Sequence, residues 1–427
     1  MLGKGARRLL ICVLGLGTLP VALARCSVYD TSLLVPAPDK PAPASGVGFW
    51  SGAGDRGCFS AKVPRPEDRP PPGSPTKLPP IYLAISSTRL GSLDPKGNLD
   101  SNAWQDIGYD LDGVCTGASS CEGTDSPPSC KPTVPQISTD GTYCRDNTFG
   151  RLEFTAALVP EIAKKYGLSD DAFNCALCVG DYNYIIKVSD YNGEANDGDV
   201  RVDLYPSTGL TKVLPWDCAD PSWKTRPCFT PDGVFKIEKG GMVNPAAGPD
   251  LPPAKAFDDK AYVRDGYLVL SLKDIFLWFP GYNALVTAYP IQLRKGIASG
   301  KLARGADGVW RITDGIIGGR TLAADLVKGF RDIGFCETDS NYGLLVDFVA
   351  KNLDVLADGT KDPNRTCDAM SVGIGFQALQ AVAGPLDEVE PLKECVLRGG
   401  AVDGGTDAGT DAPLDAPKDA PSDAPRD

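Results

Sequence analysis

The sequence predicts a mainly β protein with some helix (α+β), a disulfide-rich β-sandwich of lectin or jelly-roll type carrying a few peripheral helices. Three observations predict it. Short runs rich in Val, Ile, Leu and Tyr recur between stretches of Gly, Asn and Asp, the pattern of strands and turns. Within one of them Arg201, Asp203 and Tyr205 alternate with Val200, Val202 and Leu204, so one face is buried and one wet, which favours a sandwich over a parallel sheet. The cysteines of the body also form an even set, as expected of disulfides in an oxidising compartment.

Residues 1–25 read as a bacterial export signal, with Lys4, Arg7 and Arg8 before the apolar run Leu9 to Leu19 and Pro20 before a small-residue stretch. That run is too short to span a bilayer, which takes about 20 residues. Two processing sites compete. Ala22-Leu23-Ala24 suits ordinary signal peptidase and a chain starting at Arg25, whereas Leu23-Ala24-Arg25-Cys26 resembles a lipobox that would attach lipid to Cys26. Arg25 departs from the lipobox pattern, where a small residue is usual. Cysteine parity favours the lipid: with Cys12 removed and Cys26 lipidated, Cys58, Cys115, Cys121, Cys130, Cys144, Cys175, Cys178, Cys218, Cys228, Cys336, Cys367 and Cys395 can all pair. The expected location is therefore extracytoplasmic: lipid-anchored at the outer membrane or cell surface, or else periplasmic or secreted.

Residues 26–80 read as a Pro-rich tether holding a small aromatic and Cys segment around Phe49, Trp50, Cys58 and Phe59. Residues 81–396 form the disulfide-stapled β-rich domain. Strands are expected at 81–85, 184–188, 200–205, 267–272, 285–289, 291–299, 309–317 and 371–379, the second and third joined as a hairpin across the acidic turn 190–199. Helical spacing marks Phe149 to Tyr166, interrupted near Pro160; Leu322, Leu326, Phe330 and Ile333; and Leu345, Val349, Leu353 and Leu356. Residues 397–427 repeat Asp every fourth position with Pro between the later ones, which forbids a helix and predicts a disordered tail.

Composition excludes much chemistry. The chain has no His, so it builds no Ser-His-Asp or Cys-His catalytic group and no His-ligated metal or haem. Its net charge of −12 becomes −16 without residues 1–25, a surface that repels nucleic acid. Carboxylate pairs and oxygen-ligated calcium remain. Asp110-Leu111-Asp112-Gly113 is half of a calcium-loop signature, so Asp110 and Asp112 are the metal candidates, with calcium the cofactor. Asp106, Asp110 and Asp112 could equally serve as an acid and base pair. Cys175-Ala176-Leu177-Cys178 has redox or zinc spacing, with Cys218 and Cys228 able to complete a zinc set, but in an exported chain disulfides are expected. The local pairings expected are Cys218 with Cys228 and bridges within 115–144. Trp216, Trp223, Phe276, Trp278, Tyr282 and Tyr289 are candidates to stack on sugar rings, Trp216 and Trp223 being the better surface pair.

Cys-Ser-Val-Tyr-Asp at 26–30, Asp-Leu-Asp-Gly-Val-Cys-Thr at 110–116, Cys-Arg-Asp-Asn-Thr-Phe-Gly at 144–150 and Cys-Asp-Ala-Met-Ser-Val-Gly-Ile-Gly-Phe at 367–376 resemble an uncharacterised family of predicted secreted lipoproteins from large-genome Gram-negative bacteria. The resemblance implies location and no particular chemistry. The expected function is an exported, lipid-anchored envelope or cell-surface protein with a binding or structural role and no catalytic residues. Its partners would be the membrane, through the lipid, and a carbohydrate or envelope protein. The alternative is a His-free, glycosidase-like hydrolase using paired carboxylates.

Overall fold

The computed structural model describes residues 61–388 apart from 95–96, 118–125, 135–138, 158–169, 219, 246–249, 273–274, 284–285, 333–335 and 338–341. Residues 1–25, expected to be an export signal, Cys26, Cys58, Cys121, Cys395 and residues 397–427 lie outside the described residues. The strands are β1 (Ile81–Arg89), β2 (Cys130–Lys131), β3 (Asn183–Ser189), β4 (Asp197–Leu210), β5 (Val234–Glu238), β6 (Ala256–Arg264), β7 (Tyr267–Leu272), β8 (Ile275–Asn283), β9 (Val286–Arg304), β10 (Trp310–Leu322), β11 (Asp362–Thr366), β12 (Ala369–Gln380) and β13 (Val382–Asp387). The helices are α1 (Thr148–Ala157), α2 (Asp170–Val179), α3 (Ala323–Asp332) and α4 (Tyr342–Lys351).

The main sheet runs β4-β3-β1-β12-β10-β9-β7-β6, and β6 pairs again with β4. All of these pairings are antiparallel, so eight strands close on themselves in a barrel-like circuit. The mainly β class and the disulfides are as expected, whereas the two facing sheets of a sandwich are not what the pairing describes. A half-wet strand alternates identically in a sandwich and in a barrel, and closure rests on β4 alone. The first half of β4, from Asp197 to Leu204, pairs with β6, and its second half, from Ser207 to Leu210, pairs with β5. One 14-residue strand thus both closes the circuit and carries the β5–β13 extension.

Inside the circuit the apolar positions converge. Leu83, Val202, Val263, Leu268, Ile291, Leu293, Val372 and Ile374 are buried in one cluster. An apolar cavity of about 40 Å³ remains among Leu204, Leu268, Leu270, Ile312, Ile317 and Phe376. Pockets that hold drug-sized ligands run to roughly 300 Å³ and more, so the interior is a packed core.

β1 shows how local polar groups complete the sheet. It pairs with β3 only from Ile81 to Ala84. Beyond that, the Asn183 side chain accepts from Ile85 N at 2.7 Å and donates to Ile85 O at 2.9 Å. Asn174 of α2 does the same for Thr88, accepting from its N at 2.7 Å and donating to its O at 2.9 Å. Two amide side chains thereby stand in for a missing strand.

Disulfides tie the surrounding loops to this frame. Cys115 bonds Cys144, Cys130 bonds Cys367, Cys175 bonds Cys218 and Cys178 bonds Cys228; Cys336 is disulfide-bonded too. The expected Cys218–Cys228 pairing is corrected. Cys175 and Cys178 lie one turn apart on α2, on one side of the helix, and each takes one end of the loop that the two later cysteines bound. Cys115–Cys144 falls within 115–144 as expected, while Cys130 pairs far outside it. Among the described residues no helix is long and apolar enough to cross a membrane.

Candidate functional site

On the outer face of β10 and β12 the sheet carries small residues where a loop crosses it. Gly373 packs so close to residues 107–108 that a Cβ there would meet Gly108 Cα and Ile107 O, each at 2.8 Å. This flat floor lets the chain from Ile107 to Asp112 lie directly on the sheet. Tyr109 is fully buried there, its hydroxyl 2.6 Å from Ser299 Oγ. Asp110 and Asp112 follow on the same loop, which turns back at Gly113 with φ +67°.

The structure brings a third carboxylate to this pair. An oxygen of Asp146 lies with oxygens of Asp110 and Asp112, all within 4.8 Å of one another. Asp146 is held from two sides: its Oδ2 accepts from Leu111 N at 2.6 Å and from Asp112 N at 3.1 Å. The Cys115–Cys144 bond staples the two loops that supply these acids. Just before Asp146, Tyr143 and Cys144 take left-handed backbone, φ 59° and 66°. Such conformations cost on the order of 1–3 kcal/mol each and persist where surrounding structure imposes them. Asn147 fixes the next step, its Oδ1 accepting from Gly150 N at 2.9 Å and from Gly373 N at 2.8 Å.

Two further acids complete the layer. Asp354 is buried, its carboxylate accepting from Ser371 N at 2.8 Å and from Ser371 Oγ at 2.5 Å. Asp140 accepts from Thr116 N at 2.6 Å. Burial, and then the neighbouring Asp112, push Asp110 up to about 6. Burial pushes Asp140 up to about 9, with Asp112, Asp354 and Asp110 adding to the effect. Burial likewise raises Asp354 to about 6, and raises Asp112 and, strongly, Asp146 above the ordinary carboxylate range.

The nearby cations are Arg320, Arg151 and Lys361. Arg320 donates from Nη2 to Leu111 O at 2.5 Å, while its Nε finds no partner among the described residues. Lys361 donates to Gly113 O at 2.7 Å. One buried oxygen is also unanswered: Asp110 Oδ1 has no hydrogen-bond partner among the described residues.

This arrangement fits a hard cation. Calcium binds oxygens at about 2.3–2.6 Å, so two of its ligands can be at most about 5 Å apart, and all three oxygens fall within that limit. The expected pair, Asp110 and Asp112, is thus brought together, and Asp146 is the member that local spacing missed. Asp106 stands apart from the set, in a short 3₁₀ turn, with its charge beside Arg145.

The aromatic candidates divide into two places. Trp216 and Trp223 lie on the loop that Cys218 and Cys228 tie to α2, with Trp216 donating to Pro227 O at 2.9 Å and the Arg226 guanidinium 4.8 Å from its ring centre. That cation covers a face a sugar would need. Phe276, Trp278 and Tyr282 lie on β8 and Tyr289 on its partner β9. No family model, curated protein or solved structure matches the chain.

Proposed function

We propose that the chain is an extracytoplasmic binding or structural module, held at the cell envelope through lipid on Cys26, whose outer loop layer is organised by calcium at Asp110, Asp112 and Asp146. The observation that carries this reading is the buried Asp110 Oδ1, an acceptor with no donor among the described residues, on one of three converging carboxylates. A divalent ion would answer that oxygen and stabilise the ionised form of the three acids together. The four disulfides between described residues and the bonded Cys336 suit the same oxidising location.

The cation reading is favoured over hydrolysis by the same geometry. Paired catalytic carboxyls stand about 5–5.5 Å apart in retaining glycosidases and about 6.5–9.5 Å apart in inverting ones, leaving room for the sugar or a water. Here one oxygen from each of three acids converges within 4.8 Å of the others, and Asp146 spends an oxygen on two backbone amides. Their layout suits holding an ion between loops better than presenting a proton to a substrate.

Titration calorimetry of the metal-stripped protein with calcium, alongside turnover on a glycoside panel, tests the reading. Binding of one calcium, abolished by Asp110→Asn with Asp146→Asn, and no turnover is the expected result. Turnover lost in Asp112→Asn without any calcium binding would establish the hydrolase instead. Intact mass of the mature protein tests the anchor: an unlipidated chain starting at Arg25 would overturn it.

A further inference from the structure

The strand β9 is longer than the barrel needs. It pairs with β10 from Arg294 onward and with β7 from Gly296 onward. Val286–Leu293 are laddered instead to β8, from Ile275↔Leu293 to Asn283↔Val286. Ile291 and Leu293 are buried in the barrel core, so this two-stranded ribbon is rooted there as a continuation of a barrel strand. Among the described residues β8 has no partner on its other edge.

The composition of the ribbon sets it apart. From Ile275 to Leu293, 19 consecutive residues carry no charge, in a chain that is 23% charged and net acidic. Its only polar side chains besides tyrosine are Asn283, Thr287 and Gln292, and it holds Phe276, Trp278, Phe279, Tyr282 and Tyr289. Strands facing water on one side alternate polar and apolar residues; this ribbon does not.

We propose that the β8–β9 ribbon is a membrane-contacting arm that lies in the interfacial zone of an uncharged lipid bilayer. Three arguments select this occupant. Tryptophan and tyrosine favour the boundary between headgroups and acyl chains, where the ring is buried and its polar atom stays wet. A ribbon whose outer strand pairs with no further strand among the described residues leaves backbone groups open along that edge, which the hydrocarbon interior does not tolerate, so the ribbon lies in the interface and does not span. A second copy of the chain is the poorer occupant, because Pro280 in the unpartnered edge strand removes an N–H, a device that blocks strand addition. The acidic body would keep the arm off anionic lipid and on neutral lipid.

The proposal does not rest on the cation site, and its test removes the anchor as well. The mature chain carrying Cys26→Ser is mixed with phosphatidylcholine vesicles, with and without phosphatidylglycerol, and floated on a density gradient. Co-flotation with the neutral vesicles, weaker with the anionic ones, is expected. Trp278→Asp with Tyr282→Asp should reduce flotation at least about tenfold, a change of about 1.4 kcal/mol in binding, with an unchanged melting temperature. Should that variant misfold, quenching of tryptophan emission by brominated phosphatidylcholine, present in the parent and lost in Trp278→Phe, gives the same answer. No flotation of the Cys26→Ser chain, or equal flotation with both aspartates in place, would overturn the proposal. So would a Cys26→Ser dimer that the aspartates dissociate, which would assign the arm to self-association.

Discussion

Consider the ion-free protein in a calcium titration at pH 7.5. Raising Asp110 from an ordinary carboxylate to about 6 disfavours its charged form by about 3 kcal/mol, the cost of ionising it beside Asp112 away from water. A bound calcium relieves that cost. At calcium about one hundred times its dissociation constant, binding stabilises the fold by about 2.7 kcal/mol. With an unfolding entropy near 2.1 cal/mol/K per residue over roughly 300 residues, the melting temperature should rise by about 4 °C. The pH dependence carries its own sign. Asp110 and Asp354 titrate near 6 when folded and near 3.8 when unfolded, so the folded state holds more protons between these values. The ion-free protein should be most stable at about pH 4 and lose stability as pH rises through 6, and further towards 9 as Asp140 ionises. Calcium competes with those protons, so its effect should shrink at pH 5 and grow at pH 8. Differential scanning calorimetry after chelation, with magnesium at matched ionic strength as control, reads each of these. A melting temperature that calcium leaves unchanged at pH 8, or that calcium raises equally in Asp110→Asn, would refute the reasoning.

Other perturbations follow from single contacts. Asp170, at the start of α2, accepts from Leu90 N at 2.5 Å, Ser92 N at 3.0 Å and Ser92 Oγ at 2.8 Å, all buried. Asp170→Ala strands those donors and should cost about 3 kcal/mol in denaturant unfolding, with Asn recovering part; a loss below about 1 kcal/mol would contradict the assignment. Gly373→Ala must displace residues 107–108 and should destabilise by about 2 kcal/mol while weakening calcium binding, because Asp110 and Asp112 ride on that loop. Calcium affinity equal to that of the parent would show that the floor and the site are uncoupled. Peptide mapping without reduction should recover Cys175 linked to Cys218 and Cys178 linked to Cys228, whereas a Cys218–Cys228 peptide would reject the α2 staple.

What could be read from the chain alone was local. The alternation at 200–205 and the apolar runs at 81–85, 184–188, 267–272 and 371–379 became β4, β1, β3, β7 and β12, because a strand's two-residue period is written in its own side chains. The spacing of Leu322, Leu326 and Phe330 placed α3 for the same reason. Asp110 and Asp112 stood out because a carboxylate, a gap, a carboxylate and a turn-forming Gly are neighbours in sequence. Segments 285–289 and 291–299 read as two strands but form one, since Pro290 sits where β9 pairs with Trp278 of the β8 ribbon. α2 went unread because Phe173, Cys175, Ala176, Leu177, Cys178 and Val179 are buried nearly all round, leaving too little polar stripe to show a period. Tertiary structure alone decided the rest. Closure of the circuit depends on β4 meeting β6 across more than fifty residues, and no local pattern encodes which distant strand a half-wet edge will meet. Asp146 and Asp354 join Asp110 only because Asn147 and Ser371 fasten their segments to β12. Strand rhythm is a property of neighbouring residues; a buried carboxylate cluster belongs to the packing that forces distant residues together.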